Sequence, residues 1–137
     1  MTLDVNIKRV YDPAEPDDGY RVLIDHIWPR GVSHERAHLD GWARELAPSD
    51  ELRRWFDHVP ERFDEFRARY RDELSDHAEL LEELQQRARQ ERLTIVYAAR
   101  DRQHNNAVVV RQVLLSAPPL LSGRAPSRSG ARARPRA

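Results

Sequence analysis

Two short apolar runs, separated by roughly sixty residues of helical pattern and each leading straight into a polar cluster, constrain this chain more than any other feature. The first run, Val22-Leu23-Ile24, leads into Asp25-His26-Ile27-Trp28-Pro29-Arg30-Gly31. The second, Leu93-Thr94-Ile95-Val96-Tyr97-Ala98-Ala99, leads into Arg100-Asp101-Arg102-Gln103-His104-Asn105-Asn106. Short apolar, β-rich runs bounded by turn residues read as strands. A connection this long permits a parallel, right-handed crossover between them. Parallel neighbours open their carboxyl ends on one edge, where ligands of open α/β sheets gather. The two polar clusters are therefore expected to share one site.

The rest of the pattern fits that frame. Leu3, Val5 and Ile7 alternate with Asp4, Asn6 and Lys8, as a strand with one wet face does. Pro13, Pro16 and Gly19 then mark a loop. From Ser33 to about Gln90 the period is helical: Leu39, Trp42 and Leu46; then Leu52, Trp55 and Phe56 behind a Ser49 N-cap; then Phe63, Phe66, Tyr70 and Leu74; then Leu80, Leu81, Leu84 and Ala88. Asp76 and Glu79 have the spacing of a capping box for the last of these helices. The closing segment, Asn106–Ser116, is locally β-prone through Val108, Val109 and Val110. We read it as a helix, because Asn105 or Asn106 can cap it and a parallel sheet needs covering helices. The expected fold is α/β: a small, mostly parallel sheet of about three strands, covered by several helices, in a single domain over residues 1–116.

Charge divides the chain where the fold ends. Of 23 basic and 23 acidic residues, residues 117–137 hold five arginines and no acid, which leaves the remainder near −5. This Pro-, Ser-, Gly- and Arg-rich tail buries too little apolar surface to offset its ordering entropy, so we read it as disordered. A basic arm can bind nucleic acid by counterion release; the plain alternative is an inert extension in a chain with 22 Arg and one Lys. No run reaches the roughly 18 apolar residues of a membrane span, and the first residues lack the blocks of a secretory signal. The expectation is a cytoplasmic protein with no membrane partner. With no cysteine, thiolate nucleophiles and Cys-based metal or cluster sites are excluded.

At the expected edge, Asp25, Trp28 and Arg30 meet Arg100, Asp101 and His104, and the turn into Asn105-Asn106 aims a helix N-terminus at the same place. Free backbone donors and the helix dipole favour an anion there, with Arg30 or Arg100 gripping it through paired N–H groups. Each residue also has a plainer role. Asp25 and Arg30 can pair with each other, Trp28 can serve as core or lid, His104, Asn105 and Asn106 can cap a helix, and Arg102 can face solvent. His34-Glu35-Arg36-Ala37-His38 fits the HExxH pattern, but that motif needs a long helix and a third ligand. Here it follows a Gly-Val-Ser loop with Gly41 close behind, so it is not read as a zinc site. No Gly-rich phosphate loop and no G-x-S-x-G elbow occurs, and no cofactor is expected.

Five motifs in order resemble one bacterial family: Lys8-Arg9-Val10-Tyr11-Asp12, Gly19-Tyr20-Arg21-Val22-Leu23, Trp28-Pro29-Arg30-Gly31, Glu45-Leu46-Ala47-Pro48-Ser49, and Tyr97-Ala98-Ala99-Arg100-Asp101 with His104-Asn105. They resemble the YeaO-like proteins of the DUF488 family, over roughly residues 5–116. The resemblance implies a single compact α/β domain and no established reaction. The family pattern has arginine at the position of His26, so an anion grip at that position does not carry over. More distant relatives carry cysteines in the segment equivalent to Ala98–Asn106, and a thiol mechanism does not carry over either.

Three functions follow as expectations. The first is a domain that binds a small anionic ligand through Trp28, Arg30, Arg100, Asp101, Asn105 and Asn106, with Asp25 or His104 as a general acid or base if it is an enzyme. The second is a regulatory module contacting nucleic acid through the basic tail. The third is metal binding through Asp25, His26 and His104.

Overall fold

The computed structural model describes residues 3–116, so the basic tail lies outside the described residues. Four strands form one sheet: β1 (Val5–Arg9), β2 (Tyr20–Leu23), β3 (Gly41–Trp42) and β4 (Leu93–Tyr97). Their order is β1-β4-β2-β3 and every pairing is parallel. In register, Ile95 of β4 faces Ile7 on one side and Val22 on the other. All five residues of β4 are buried, which is why its sequence is continuously β-prone rather than alternating.

The helices are α1 (His34–Ala37), α2 (Asp50–Phe56), α3 (Phe63–Leu74), α4 (Ala78–Gln90) and α5 (Asn106–Ser116). The valine-rich final segment is helical, as the covering argument requires. Alternation along β2 and β4 sends side chains to two unequal faces. Val22, Ile24, Ile95 and Tyr97 join the main core with the buried stripes of α2 to α5. Leu23 and Val96 point to a thinner cluster with Val10 and Ala37, closed by Trp28, Val32, Leu39 and Trp42. Among the described residues no helix is long and apolar enough to cross a membrane.

Two sequence expectations need correcting. The sheet has four strands rather than about three, because Gly41–Trp42, read as part of a helical stripe, is a strand. Helix α1 lasts one turn and ends with His38 in the left-handed region (φ 48°). The chain is then drawn onto the edge of β2: the Arg21 N–H donates to the Asp40 carboxylate (2.9 Å), and the Asp40 and Ala43 N–H groups donate to the Arg21 and Leu23 carbonyls (both 2.8 Å). Glycine fits this approach, since a Cβ at Gly41 would lie 2.7 Å from the Tyr20 hydroxyl. The Asp76/Glu79 capping box does not form either. A single turn of tighter helix, Ser75–His77, carries α3 directly into α4, and no side chain caps the start of α4. Ser49 does cap α2, its Oγ accepting the Leu52 N–H at 3.1 Å.

The thinner face is held by a buried ionic cluster. Arg21, 3% exposed, donates to Asp18 (2.7 Å), the Ala37 carbonyl (2.8 Å) and the His38 carbonyl (3.0 Å), while Lys8 donates to Asp18 at 3.0 Å. Burial opposes ionisation of Asp18, but the Glu15 N–H, Lys8 and Arg21 outweigh it and hold the carboxyl below its ordinary value. A depressed carboxyl pKa contributes stability above the ordinary value, and that stability is lost as pH falls through the folded value. Removing one partner strands the other charge. We predict that Asp18→Ala destabilises the fold by about 3–5 kcal/mol in urea unfolding; a loss below about 1 kcal/mol would show that Arg21 does not depend on this carboxylate.

Candidate functional site

The carboxyl ends of β2 and β4 lie side by side, as the crossover predicts. One hydrogen bond continues the pairing past β2, from the Ile24 N–H to the Val96 carbonyl (3.2 Å). The next residue, Asp25, ties three elements together. Its Oδ2 accepts the Ala98 N–H (3.0 Å) at the end of β4, and its Oδ1 accepts the Asn106 amide (3.0 Å) at the start of α5. Its carbonyl accepts the Trp42 indole N–H (2.7 Å) from β3.

Burial raises the Asp25 pKa; the donated hydrogen bonds from Asn106 and Ala98, and the Arg53 charge on α2, oppose that rise without cancelling it. The fully buried Tyr70 of α3 donates to the Leu46 carbonyl. Its own pKa is pushed well above 10.0, first by burial and then by the Asp25 and Glu73 charges. Arg53 and Tyr70 therefore belong to the surroundings of Asp25. Neither was visible as a partner in sequence, because both sit on helices far along the chain.

The loop from β4 into α5 is satisfied from within. Asp101 Oδ1 accepts the Gln103 and His104 N–H groups (2.9 and 3.0 Å), and Oδ2 meets His104 Nδ1 at 2.9 Å. These contacts, led by the Gln103 N–H, hold the Asp101 carboxyl below its ordinary value. Asn105 Oδ1 accepts the Val108 N–H (3.0 Å) as a helix cap, and Asn106 Oδ1 accepts the Ala107 N–H (3.0 Å). Four donors at the expected anion position thus already have acceptors, one of them a carboxylate.

The other candidates lie around this centre. Trp28 packs on the thin apolar cluster, donates to the Val32 carbonyl (2.6 Å), stacks on His34 at 4.0 Å and meets Trp42 edge-on at 5.3 Å. Arg30 does not pair with Asp25; its carbonyl accepts the Tyr11 hydroxyl at 2.9 Å. His104 turns its ring edge-on to Phe63 of α3 at 5.2 Å. The partners of His104 and those of Asp25 are thus different residues. Arg102, expected to face solvent, remains 57% exposed but forks onto Asp12 at 2.8 and 3.0 Å. The helix carrying His34 stops before His38, so the HExxH residues do not share a continuous helical face. Among the described residues no group of three or more His, Asp or Glu is placed to hold a metal.

Sequence reasoning missed one connection. Arg9, at the end of β1, donates to the Ala99 and Ala98 carbonyls (2.8 and 3.3 Å) and lies 4.9 Å from the Tyr11 ring centroid. With Arg102–Asp12, this clasps residues 98–102 against residues 9–12. The signal was the first of the five motifs, which holds Arg9, Tyr11 and Asp12.

Comparison with known proteins places this geometry in a family. A family model described as the inactive DUF488-N3 subclade, DUF488-N3i, matches residues 4–128. The chain belongs to this family. Similar proteins include the uncharacterized protein Rv3073c of Mycobacterium tuberculosis, 44% identical over 110 residues covering 80% of this chain and 92% of the relative. Another is the uncharacterized protein YeaO of Escherichia coli, 40% identical over 114 residues, 83% of this chain and 99% of that one. No solved structure matches. The resemblance to YeaO-like proteins read from the five motifs is therefore correct.

The Asp25 clasp makes a testable statement about this DUF488-N3i chain. A carboxyl whose folded-state pKa is raised contributes stability below its ordinary value, and that contribution is lost as pH rises through the folded value. Carbon-detected NMR of the carboxyl groups should show Asp25 titrating above 3.8, and Asp25→Ala should cost about 1–3 kcal/mol by leaving the Ala98 and Asn106 donors without an acceptor. A midpoint at or below the ordinary value would contradict this description of its environment.

Proposed function

We propose that this protein is a binding domain for a small anionic ligand, held at the carboxyl edge of the sheet by Arg30 and Arg100 without covalent chemistry. One observation carries the reading. Four arginines lie on the segments that meet at this edge, and two are committed: Arg9 to the Ala98 and Ala99 carbonyls, Arg102 to Asp12. The side chains of Arg30 and Arg100 make no hydrogen bond or ion pair with any described residue, and both residues are exposed. Guanidinium forks grip phosphate, sulfate or carboxylate through paired N–H groups.

The start of α5 is not the grip in this reading, because Asn105 and Asn106 accept its Val108 and Ala107 N–H groups and Asp101 accepts those of the turn before it. Those three residues, with Asp25 and Trp28, shape and hold the edge instead. Acid–base turnover by Asp25 or His104 is the weaker form of the proposal: the two side chains have separate partners, and the family is described as inactive.

The test is a thermal-shift and calorimetric panel of inorganic phosphate, sulfate and dicarboxylates on the full chain. A ligand at 100 times its Kd adds about 2.7 kcal/mol of stability, so at least one anion should raise Tm measurably. Arg30→Ala combined with Arg100→Ala should abolish the rise while leaving the unliganded stability within about 0.5 kcal/mol of the parent, as surface substitutions do. No response to any anion, or an undiminished response in the double variant, would refute the assignment.

A further inference from the structure

Beside the backbone that carries Arg30 lies an exposed aromatic ring, that of Tyr11. The Tyr11 hydroxyl is spent on the Arg30 carbonyl. The Arg9 guanidinium lies over the ring, 4.9 Å from its centroid. Arg9 is itself fixed by the carbonyls of Ala98 and Ala99, the residues directly before Arg100. The forked Arg102–Asp12 pair holds the adjoining backbone from the other side. The ring is thus held at its hydroxyl by the Arg30 carbonyl and braced by Arg9 against the residues that follow β4, yet Tyr11 remains 43% exposed. With its hydroxyl and one flank occupied, the exposed part is apolar ring surface.

An exposed aromatic ring bonded to the Arg30 backbone and braced by Arg9 against the Ala98–Ala99 segment that leads into Arg100 suits a ligand with a flat ring and an anionic group on one short linker. We propose that the ligand of this site is a nucleoside monophosphate, its phosphate taken by Arg30 and Arg100 and its base stacked on the free surface of Tyr11. The inference rests on the anion-binding reading and adds the ring. The cation on the opposite side of Tyr11 strengthens it as a platform, because Arg9 orders the ring before any ligand arrives and lowers the entropic cost of stacking. Base–aromatic stacking tolerates all bases, since every base has a π face. Little discrimination between purine and pyrimidine is therefore expected beyond stacking strength.

Isothermal titration of the full chain with adenosine 5′-monophosphate, uridine 5′-monophosphate, inorganic phosphate and adenosine tests this. The nucleotides should bind roughly tenfold or more tightly than inorganic phosphate, within the range that stacking on an aromatic side chain supplies. Tyr11→Ala should erase that advantage and leave phosphate affinity in place; Tyr11→Phe, which keeps the ring and loses the bond to the Arg30 carbonyl, should retain most of it. Arginines of the tail cannot mimic this result, because they are the same in every variant and carry no ring. If phosphate binds and nucleotides bind no tighter, the nucleotide inference is wrong and the anion reading survives. If neither binds, both are wrong. An advantage that persists in Tyr11→Ala would also overturn the inference, since the base would then be held elsewhere.

Discussion

Insertion of β4 between β1 and β2, parallel to both, is the constraint on which the remaining structure depends. Leu93–Tyr97 has no solvent-facing side and supplies hydrogen bonds to two neighbours that are distant in sequence. Parallel pairing forces every connection to cross over, so the helices must cover the sheet and the strand ends must emerge together. It also places Ala98 beside Asp25. The carboxylate then joins β2, β4 and α5 through the Ala98 N–H and the Asn106 amide, at the cost of a charge held partly out of water.

The loop that follows β4 shows how a helix start can lose its usual attraction for anions. In open α/β folds the free N–H groups at such a position are a ready anion site. Here Asn105 and Asn106 take two of them with their own oxygens, and the Asp101 carboxylate accepts the Gln103 and His104 N–H groups of the turn just before. Two donors of the helix start are thus engaged internally, whereas the Arg30 and Arg100 side chains have no partner among the described residues. This agrees with a chain that has no cysteine and belongs to a family described as inactive.

Periodicity revealed much of this fold, and short-range order explains where it failed. The strands at β1, β2 and β4, the stripes of α2, α3 and α4 and the helical nature of α5 follow from apolar spacing together with the need to cover a parallel sheet. Gly41–Trp42 was misread because Leu39, Trp42 and Leu46 have helical spacing, while the deciding contacts come from Arg21 and Leu23 about twenty residues earlier. At the site, types and positions on strand ends were legible; pairings were not. Nothing in the sequence says that Asp25 prefers Ala98 and Asn106 to Arg30, that Asp101 turns back on its own loop, or that Arg9 crosses from β1 to brace Tyr11. Those choices are made by three-dimensional neighbours with sequence separations of up to 90 residues.

The central claim is that positive charge available to a ligand sits on Arg30 and Arg100 and no longer at the start of α5. Nitrogen-detected NMR of the arginine Nε–H groups and backbone amides, followed while the full chain is titrated with inorganic phosphate, tests it directly. The account predicts saturable shifts of the Arg30 and Arg100 Nε resonances, with the Gln103, His104, Ala107 and Val108 amides nearly unmoved. Large shifts of those four amides with the two arginines silent would contradict it.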